Sequence, residues 1–275
     1  MGYQPERRDL LEIVVRAARE AAGVIRAAAP RARNLDWRSK GPTDFVSEVD
    51  IAAEECILSI AARELPGASI LAEESAATTP PERVARGLAL VIDPLDGTTN
   101  FLHGYPAYAV SIGVLLDGEP VAAVVYNVAG DEIFTATAGG GAFMNGVPIR
   151  VSTIVDPQRA LIGTGYPFKD PTDIPPYLAQ LSRVMAQVSG VRWPGAASLD
   201  LASVASGRFD AFWENLLSPW DFAAGMLLVR ESGGLATTIT GSPLRGVARS
   251  SVLVGNPAMH AWLRQALQQS QLTDP

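Results

Sequence analysis

A chain of 275 residues with 48% hydrophobic and 19% charged side chains has the composition of an ordered globular protein, long enough for one large domain or two small ones sharing a core. Its net charge of −7 argues against a general polyanion binder, because nucleic-acid affinity rests largely on lysines and arginines that neutralise phosphates. One cysteine (Cys56) and two histidines (His103 and His260) exclude an intrachain disulfide, a thiolate zinc cluster and a His-based metal site. Any metal must therefore be held by oxygen, which favours hard cations such as Mg²⁺. A phosphorylated small molecule is compatible with the acidity if bound cations supply the positive charge. The N-terminal apolar stretches are broken by Asp9, Glu12, Arg16 and Arg19, unlike a secretory signal, and no apolar run is long enough to span a bilayer. The expectation is a soluble cytoplasmic protein without a membrane role.

Leu10, Ile13, Val14, Ala17, Ala21 and Val24 have helical spacing, which predicts an amphipathic helix from about Asp9 to Ala29, ended by Pro30. A hairpin or loop is expected at Lys40–Asp44. Ser47 and Asp50 have the spacing of a capping box, opening a helix that runs to Leu65. Short apolar runs at Ile70–Ala72 and Leu88–Ile92 read as buried strands that deliver Glu73-Glu74 and Asp93 at their C-terminal ends. Strands follow at Ala109–Leu116, Glu119–Val128 and Glu132–Thr137, with Asp117-Gly118 as a hairpin turn, and Asn145-Gly146 continues the meander to Val151. Beyond that the pattern changes to a strand at Leu161–Gly163 and helices near Pro176–Val188, Ser198–Ser206, Pro219–Ser232 and Pro257–Gln269, with short strands between. This predicts an α/β fold in layers, with subdomains of residues 1–152 and 153–275 packed as one body.

Four element boundaries carry acids: Asp50, Glu73-Glu74, the pair Asp93 and Asp96, and Asp221. Open α/β folds place sites at such sheet edges. A phosphomonoester repels an attacking hydroxide, and two or three divalent ions held by about four carboxylates remove that barrier. Within Asp93-Pro94-Leu95-Asp96-Gly97-Thr98-Thr99-Asn100, Pro94 is expected to break the strand so that Asp93 and Asp96 face one cavity across a turn. Gly97 permits close backbone approach, and the amides of Gly97, Thr98 and Thr99 can point at a phosphate. The Thr98 hydroxyl can hold a water if a carboxylate such as Asp50 takes its proton. An EF-hand is ruled out by Leu95 and His103, which break its register. The three-residue step between the acids also differs from the Asp-x-Asp of aspartyl-phosphate phosphatases. A plain polar turn after a buried strand is the bland alternative.

With this acidic constellation, the sequence resembles the inositol monophosphatase family from about residue 9 to 269. The resemblance rests on Ala72-Glu73-Glu74-Ser75, on Ile92–Phe101 continuing into His103-Gly104-Tyr105-Pro106, and on Trp220–Gly225 followed by Glu231-Ser232-Gly233-Gly234. Lesser matches include Asp44–Ser47, Gly140–Ala142, Asn145-Gly146 and Gly165-Tyr166-Pro167-Phe168. It implies the layered αβαβα sandwich of the inositol monophosphatase and fructose-1,6-bisphosphatase type, a homodimer, and inhibition by Li⁺. It further implies that Glu73, Asp93 and the Leu95 carbonyl hold one Mg²⁺, and Asp93, Asp96 and Asp221 a second, with Glu73 near a weaker third. Thr98 and Asp50 would activate water, Gly97, Thr98 and Thr99 would receive phosphate, and Ala197, Glu214 and Asp221 would face the alcohol. The expected substrate is a small phosphorylated polyol or sugar, first myo-inositol monophosphate, with fructose 1,6-bisphosphate, NADP(H) and histidinol phosphate as rivals. Where the family commonly reads Gly-Ser/Thr-Ala-Ala, this chain has Gly195-Ala196-Ala197-Ser198, so the hydroxyl has moved on the alcohol side. Some bacterial relatives associate with RNA polymerase or RNA; the absence of a basic run here argues against a nucleic-acid role.

The remaining residues carry plainer expectations. Lys40 either neutralises a carboxylate that bridges metals or, the preferred reading, is simply solvated. His103 reads as structural, Cys56 as a buried small hydrophobe, Trp220 as packing that positions Asp221, and Asp200 and Asp210 as ordinary helix and turn acids. Glu74 leaves its strand opposite to Glu73, either supporting it or simply facing solvent.

Overall fold

The computed structural model describes residues 6–41, 43–75, 80–167 and 171–268. Pro42, Phe168 and Gln269, which figure in the expectations above, lie outside the described residues. The first helix, α1 (Arg7–Ala28), buries a stripe from Leu10 through Val14, Ala17, Ala18 and Ala21 to Ile25. The α-helix ends just before Pro30, as expected, and Pro30 opens a tighter turn. It sits in the first turn of a 3₁₀ helix, Ala29–Asn34, where its missing N–H costs nothing. β1 (Arg38–Gly41) and β2 (Asp44–Val46) form an antiparallel hairpin. α2 (Glu48–Glu64) starts with the expected box: Ser47 Oγ accepts from Val49 N at 3.2 Å, and Asp50 Oδ2 accepts from Ser47 N at 2.9 Å. Cys56 is partly exposed rather than buried, because Ala53, Ile57 and Ile60 take the core face of α2.

β3 (Ser69–Ala72), the short α3 (Pro81–Val84), β4 (Leu88–Asp96) and α4 (Thr98–His103) lead into a meander. Its strands are β5 (Ala109–Leu116), β6 (Glu119–Asn127), β7 (Glu132–Thr137), β8 (Gly141–Met144) and β9 (Val147–Pro148). Asp117-Gly118 and Asn145-Gly146 both turn with positive φ at each residue, the geometry of tight hairpin turns. β3 to β9 form a seven-stranded sheet in sequence order, in which β3 and β4 run parallel and the other neighbours antiparallel.

The second half contains β10 (Leu161–Thr164), α5 (Ile174–Met185), β11 (Gly190–Arg192), α6 (Ala197–Ala205), β12 (Ala211–Leu217) and α7 (Pro219–Glu231). It closes with β13 (Leu235–Thr237), β14 (Ser250–Gly255) and α8 (Pro257–Gln268). Its sheet has the order β11-β10-β12-β14-β13. Leu90, Ile92, Val110, Ile112, Val124 and Tyr126 meet the apolar faces of α1 and α2 in one core. Ala123, Val125 and Phe134, on the opposite face of the same sheet, meet Leu201, Phe222 and Leu228 of α6 and α7, together with Val252 and Val254. Trp213 and Leu253 pack outward against α5 and α8 through Tyr177, Met259 and Leu263. The layers are therefore helices, seven-stranded sheet, helices, five-stranded sheet, helices: the expected αβαβα sandwich. No helix among the described residues is long and apolar enough to cross a membrane.

One expectation is corrected at Pro94. The strand continues through it to Asp96 instead of breaking. Asp93 lies opposite Ser111 and Asp96 opposite Ala109, so β4 takes three steps where β5 takes two. Pro94, which has no N–H to offer the ladder, is accommodated in this bulge.

The middle layer depends on close helix approach. A Cβ at Gly225 would lie 2.5 Å from Leu201 Cβ. Gly225→Val is expected to destabilise the protein by about 1–3 kcal/mol through overpacking. In denaturant unfolding, Leu201→Ala should cost less in the Gly225→Val background than alone; additive losses would contradict this packing.

Candidate active site

The bulge sets the geometry of the acids. In an unbroken strand, residues three apart face opposite sides of a sheet. The extra residue in β4 restores the parity, and Asp93 and Asp96 both line one cavity of about 620 Å³ while Leu95 turns its side chain into the core below α1 and α2. Asp93 is 2% exposed and Asp96 8%, so neither acid is freely solvated. Glu73 reaches the same cavity from the neighbouring strand end, where its N–H donates to Ile92 O at 3.0 Å. Asp221 arrives from the first turn of α7, held there by the cap in which Ser218 N donates to its Oδ2 at 2.7 Å.

Crowding these acids has an electrostatic cost. Burial pushes the Asp93 carboxyl well above the usual carboxylate range, and the charges of Glu73, Asp96 and Asp221 push it further. Burial also raises Asp96 to about 6, against the opposing hydrogen bonds from Ser198. Among the described residues no three acids close into a ready metal cluster. Each has a donor of its own: Leu95 N on Asp93 at 3.0 Å, Ser198 N at 2.8 Å and Ser198 Oγ at 2.5 Å on Asp96, and Lys40 Nζ on Glu73 at 2.8 Å. The acids nonetheless share one cavity and repel one another. Such a set of hard, anionic oxygens fits divalent cations of the Mg²⁺ type, which would offset the repulsion.

Beside the acids the cavity is lined by the turn from β4 into α4. Gly97 has φ +89°, and a Cβ there would stand 2.7 Å from Ala107 O, so only glycine fits. It caps α4, whose first-turn residues Thr98 and Thr99 line the cavity with amides that no preceding helical carbonyl can satisfy. Thr98 Oγ1 lies 2.7 Å from Asp50 Oδ1 and 3.1 Å from Leu95 O. Asp50 does not itself line the cavity; it is reached through Thr98. Burial raises the Asp50 pKa, opposed by hydrogen bonds from Ser47 and Thr98. The opposite end is lined by Ala197 at the start of α6 and Glu214 on β12. All the expected site residues thus meet around one cavity, Asp50 at one remove.

Several further residues take part around the cavity. Lys40 is not solvated: it bridges Glu73 and Glu74, at 2.8 and 2.9 Å. Burial opposes its charge, yet Glu73 and Glu74 outweigh that and raise its pKa. Glu74 is pushed up to about 7 by burial and by Glu73, and its N–H donates to the buried Glu54 at 2.9 Å, so it is not a plain surface acid. Asn100 Nδ2 lies within hydrogen-bond distance of Ala107 O, Pro194 O and Gly195 O, tying α4 to the segment before Ala197. Ser198 shows where the displaced hydroxyl went: onto Asp96. Asp200 is buried on the cavity wall, and Asp210 is buried with bonds from Ser152 Oγ and Leu161 N, so neither is an ordinary surface acid. His103 Nδ1 bonds Thr99 O at 2.8 Å and its ring meets Trp37 edge-on, a structural placement. Trp220 accepts from Ser111 through its carbonyl at 3.3 Å and packs beside Val84 and Ala223, next to Asp221. Of these, only Ser198 carried a visible sequence signal, its departure from the family pattern.

A layered αβαβα sandwich with an acid-lined, amide-lined cavity at the strand ends defines a phosphatase of small phosphate esters. Residues 6–272 match the model of the inositol monophosphatase family, and the chain belongs to that family. It is 42% identical over 261 residues to the inositol-1-monophosphatase of Mesorhizobium japonicum, covering 95% of this chain and 97% of that one. It is 45% identical over 235 residues to Nus factor SuhB of Pseudomonas aeruginosa, covering 85% and 86%. Among solved structures, the extragenic suppressor protein suhB of Bartonella henselae superposes with a TM-score of 0.86 at 38% identity, covering 95% of this chain and 99% of that one. The inositol monophosphatase of Anabaena superposes at 0.82 and 36%, covering 96% and 98%.

The acid crowding predicts a pH signature in chelated protein. A carboxyl whose folded pKa is raised stabilises the fold below its unfolded pKa, and that contribution is lost as pH rises through the folded value. Asp93→Asn removes one charge from the cluster but can keep the bond from Leu95 N. With a chelator present, its melting temperature should exceed the parent's at pH 8, and the difference should shrink towards pH 5. Subtracting the parent at each pH cancels groups elsewhere, such as His260, whose lowered pKa acts in the opposite direction. An Asp93→Asn protein less stable than the parent at pH 8 would contradict the repulsion.

Proposed function

We propose that this phosphatase hydrolyses myo-inositol monophosphate to inositol and phosphate by Mg²⁺-dependent attack of water. The observation that carries the reading is the Asp50–Thr98 hydrogen bond standing beside the paired acids and the α4 amides. Glu73, Asp93 and the Leu95 carbonyl would hold one cation; Asp93, Asp96 and Asp221 would hold a second, with Glu73 near a weaker third. When bound, Mg²⁺ supplies charge neutralisation for the phosphoryl oxygens and makes water more acidic. The amides of Gly97, Thr98 and Thr99 orient the phosphate at the helix start. The Thr98 oxygen accepts a hydrogen bond from the attacking water while its own proton points at Asp50, which therefore sets the direction of proton movement. The water oxygen joins phosphorus and the bond from phosphorus to the alcohol oxygen breaks; of the water's two protons one ends on the leaving alkoxide, giving the alcohol, and the other on the phosphate, giving hydrogen phosphate. Glu214 and the Ala197 segment receive the alcohol's hydroxyls.

Membership of the family also supports lithium sensitivity, a homodimer and a cytoplasmic setting. Fructose 1,6-bisphosphate, NADP(H) and histidinol phosphate are the rival substrates for the same chemistry. The test is phosphate release across this panel with and without Mg²⁺ and Li⁺. Inositol monophosphate should give the highest kcat/KM; absence of Mg²⁺-dependent release from every ester would overturn the reading. Asp93→Asn should nearly abolish turnover, and Thr98→Ala should lower kcat by about 10²-fold or more with little change in KM.

A second reading draws on the similarity to proteins named Nus factor SuhB. A role in transcription would add to the phosphatase activity rather than replace it. It is favoured if the Asp93→Asn protein, devoid of turnover, still rescues a deletion strain, and excluded if rescue tracks turnover.

A further inference from the structure

Among the described residues, three buried side-chain atoms have no hydrogen-bond partner: Gln180 Oε1, Trp213 Nε1 and Asp200 Oδ1. Asp200 alone of these residues lines the cavity. Its carboxyl is 2% exposed, in the first turn of α6, and an unpartnered buried carboxyl oxygen is costly wherever nothing is meant to meet it. The alcohol end of the cavity supplies what could meet it. Glu214 lines the same cavity, and burial together with the charges of Glu214 and Asp96 holds the Asp200 carboxyl well above the usual range.

Glu214 is itself held in place by an absence. A Cβ on Gly165 would fall 2.0 Å from Glu214 Oε2 and 2.7 Å from Oε1, so the carboxylate lies directly over the Gly165 backbone. Gly165 lacks a positive φ, so conformational freedom does not explain it; the side chain above it does.

We propose that Asp200 is a specificity-determining residue of the alcohol end, its Oδ1 taking a hydroxyl of a polyhydroxylated alcohol next to the one held by Glu214, with Gly165 providing the space that seats Glu214. Such a pair selects alcohols with two neighbouring free hydroxyls, as on a cyclitol or a sugar ring, over alcohols with none. A site built to bond a hydroxyl discriminates against a substrate lacking it, because the site's own polar groups are then left unpaired. The inference rests on the phosphatase reading but not on any one polyol.

The test compares kcat/KM for inositol 1-phosphate and for phenyl phosphate, whose alcohol carries no further hydroxyl. Asp200→Ala should lower the ratio of the two about tenfold, the equivalent of one hydrogen bond, chiefly through KM for the polyol ester. Asp200→Asn, which keeps an oxygen at the same place, should recover most of the ratio. Gly165→Ala, which changes no polar group, should also lower it by displacing Glu214. An unchanged ratio in Asp200→Ala, whether or not both rates fall, overturns the role of Asp200, and an unchanged ratio in Gly165→Ala overturns the seating of Glu214 by Gly165. Phenyl phosphate hydrolysis by the parent keeps the phosphatase reading separate: if the parent releases phosphate from neither ester, that reading fails first.

Discussion

The mutual repulsion of buried carboxylates around Asp93 is the constraint on which the site depends. Four acids from three elements would separate in a flexible chain. Here they are kept together because each stands on a part of the fold that cannot give way. Asp93 and Asp96 lie on a strand hydrogen-bonded on both sides, and Glu73 is tied to that strand through its backbone. Asp221 is locked by a helix cap on α7, whose Ala223 would be 3.2 Å from a Cβ on Gly113 of β5. The large apolar cores on both faces of the seven-stranded sheet carry that cost. This is the usual relation between fold stability and a functional site: strain is tolerated where the surroundings over-determine the structure.

The layered α/β fold was legible because each element carries its own local signal. The period of α1, the Ser47–Asp50 box and the two turns with positive φ are decided within a few residues, and the structure reproduces them. The Pro94 bulge was not legible. A proline after an apolar run signals a break, and only pairing with β5 shows that the strand resumes one residue out of step. The consequence, two acids facing one cavity, had been expected for a different reason.

Long-range partners were likewise beyond the sequence. Lys40 lies more than thirty positions from Glu73 and Glu74, and its local surroundings are polar, so only folding shows it bridging the two. Asp200 resembles a routine first-turn acid, stabilised by the helix dipole, until the burial of α6 against the sheet places it on the cavity wall. Asn100 follows the same logic: an amide in a short helix becomes a clamp only when Pro194 and Gly195 arrive beside it. Function residues whose partners are distant carry no local pattern.

The two ends of the cavity are built from different material. The acid and amide end is made of a sheet edge and helix starts seated directly on the first core, with Phe101 and Leu102 anchoring α4 from below. The opposite end is made of β12, the start of α6 and the loop at Gly165, from the second half of the chain. Changes there leave the parity of Asp93 and Asp96 untouched. The displaced hydroxyl of Ser198 sits at the junction, bonded to Asp96 from the start of α6. It therefore links the two ends, tying an acid of β4 to the start of α6. The parity of the acids is thus fixed by the sheet and the core beneath it, while the opposite wall of the cavity is set independently by elements of the second half of the chain.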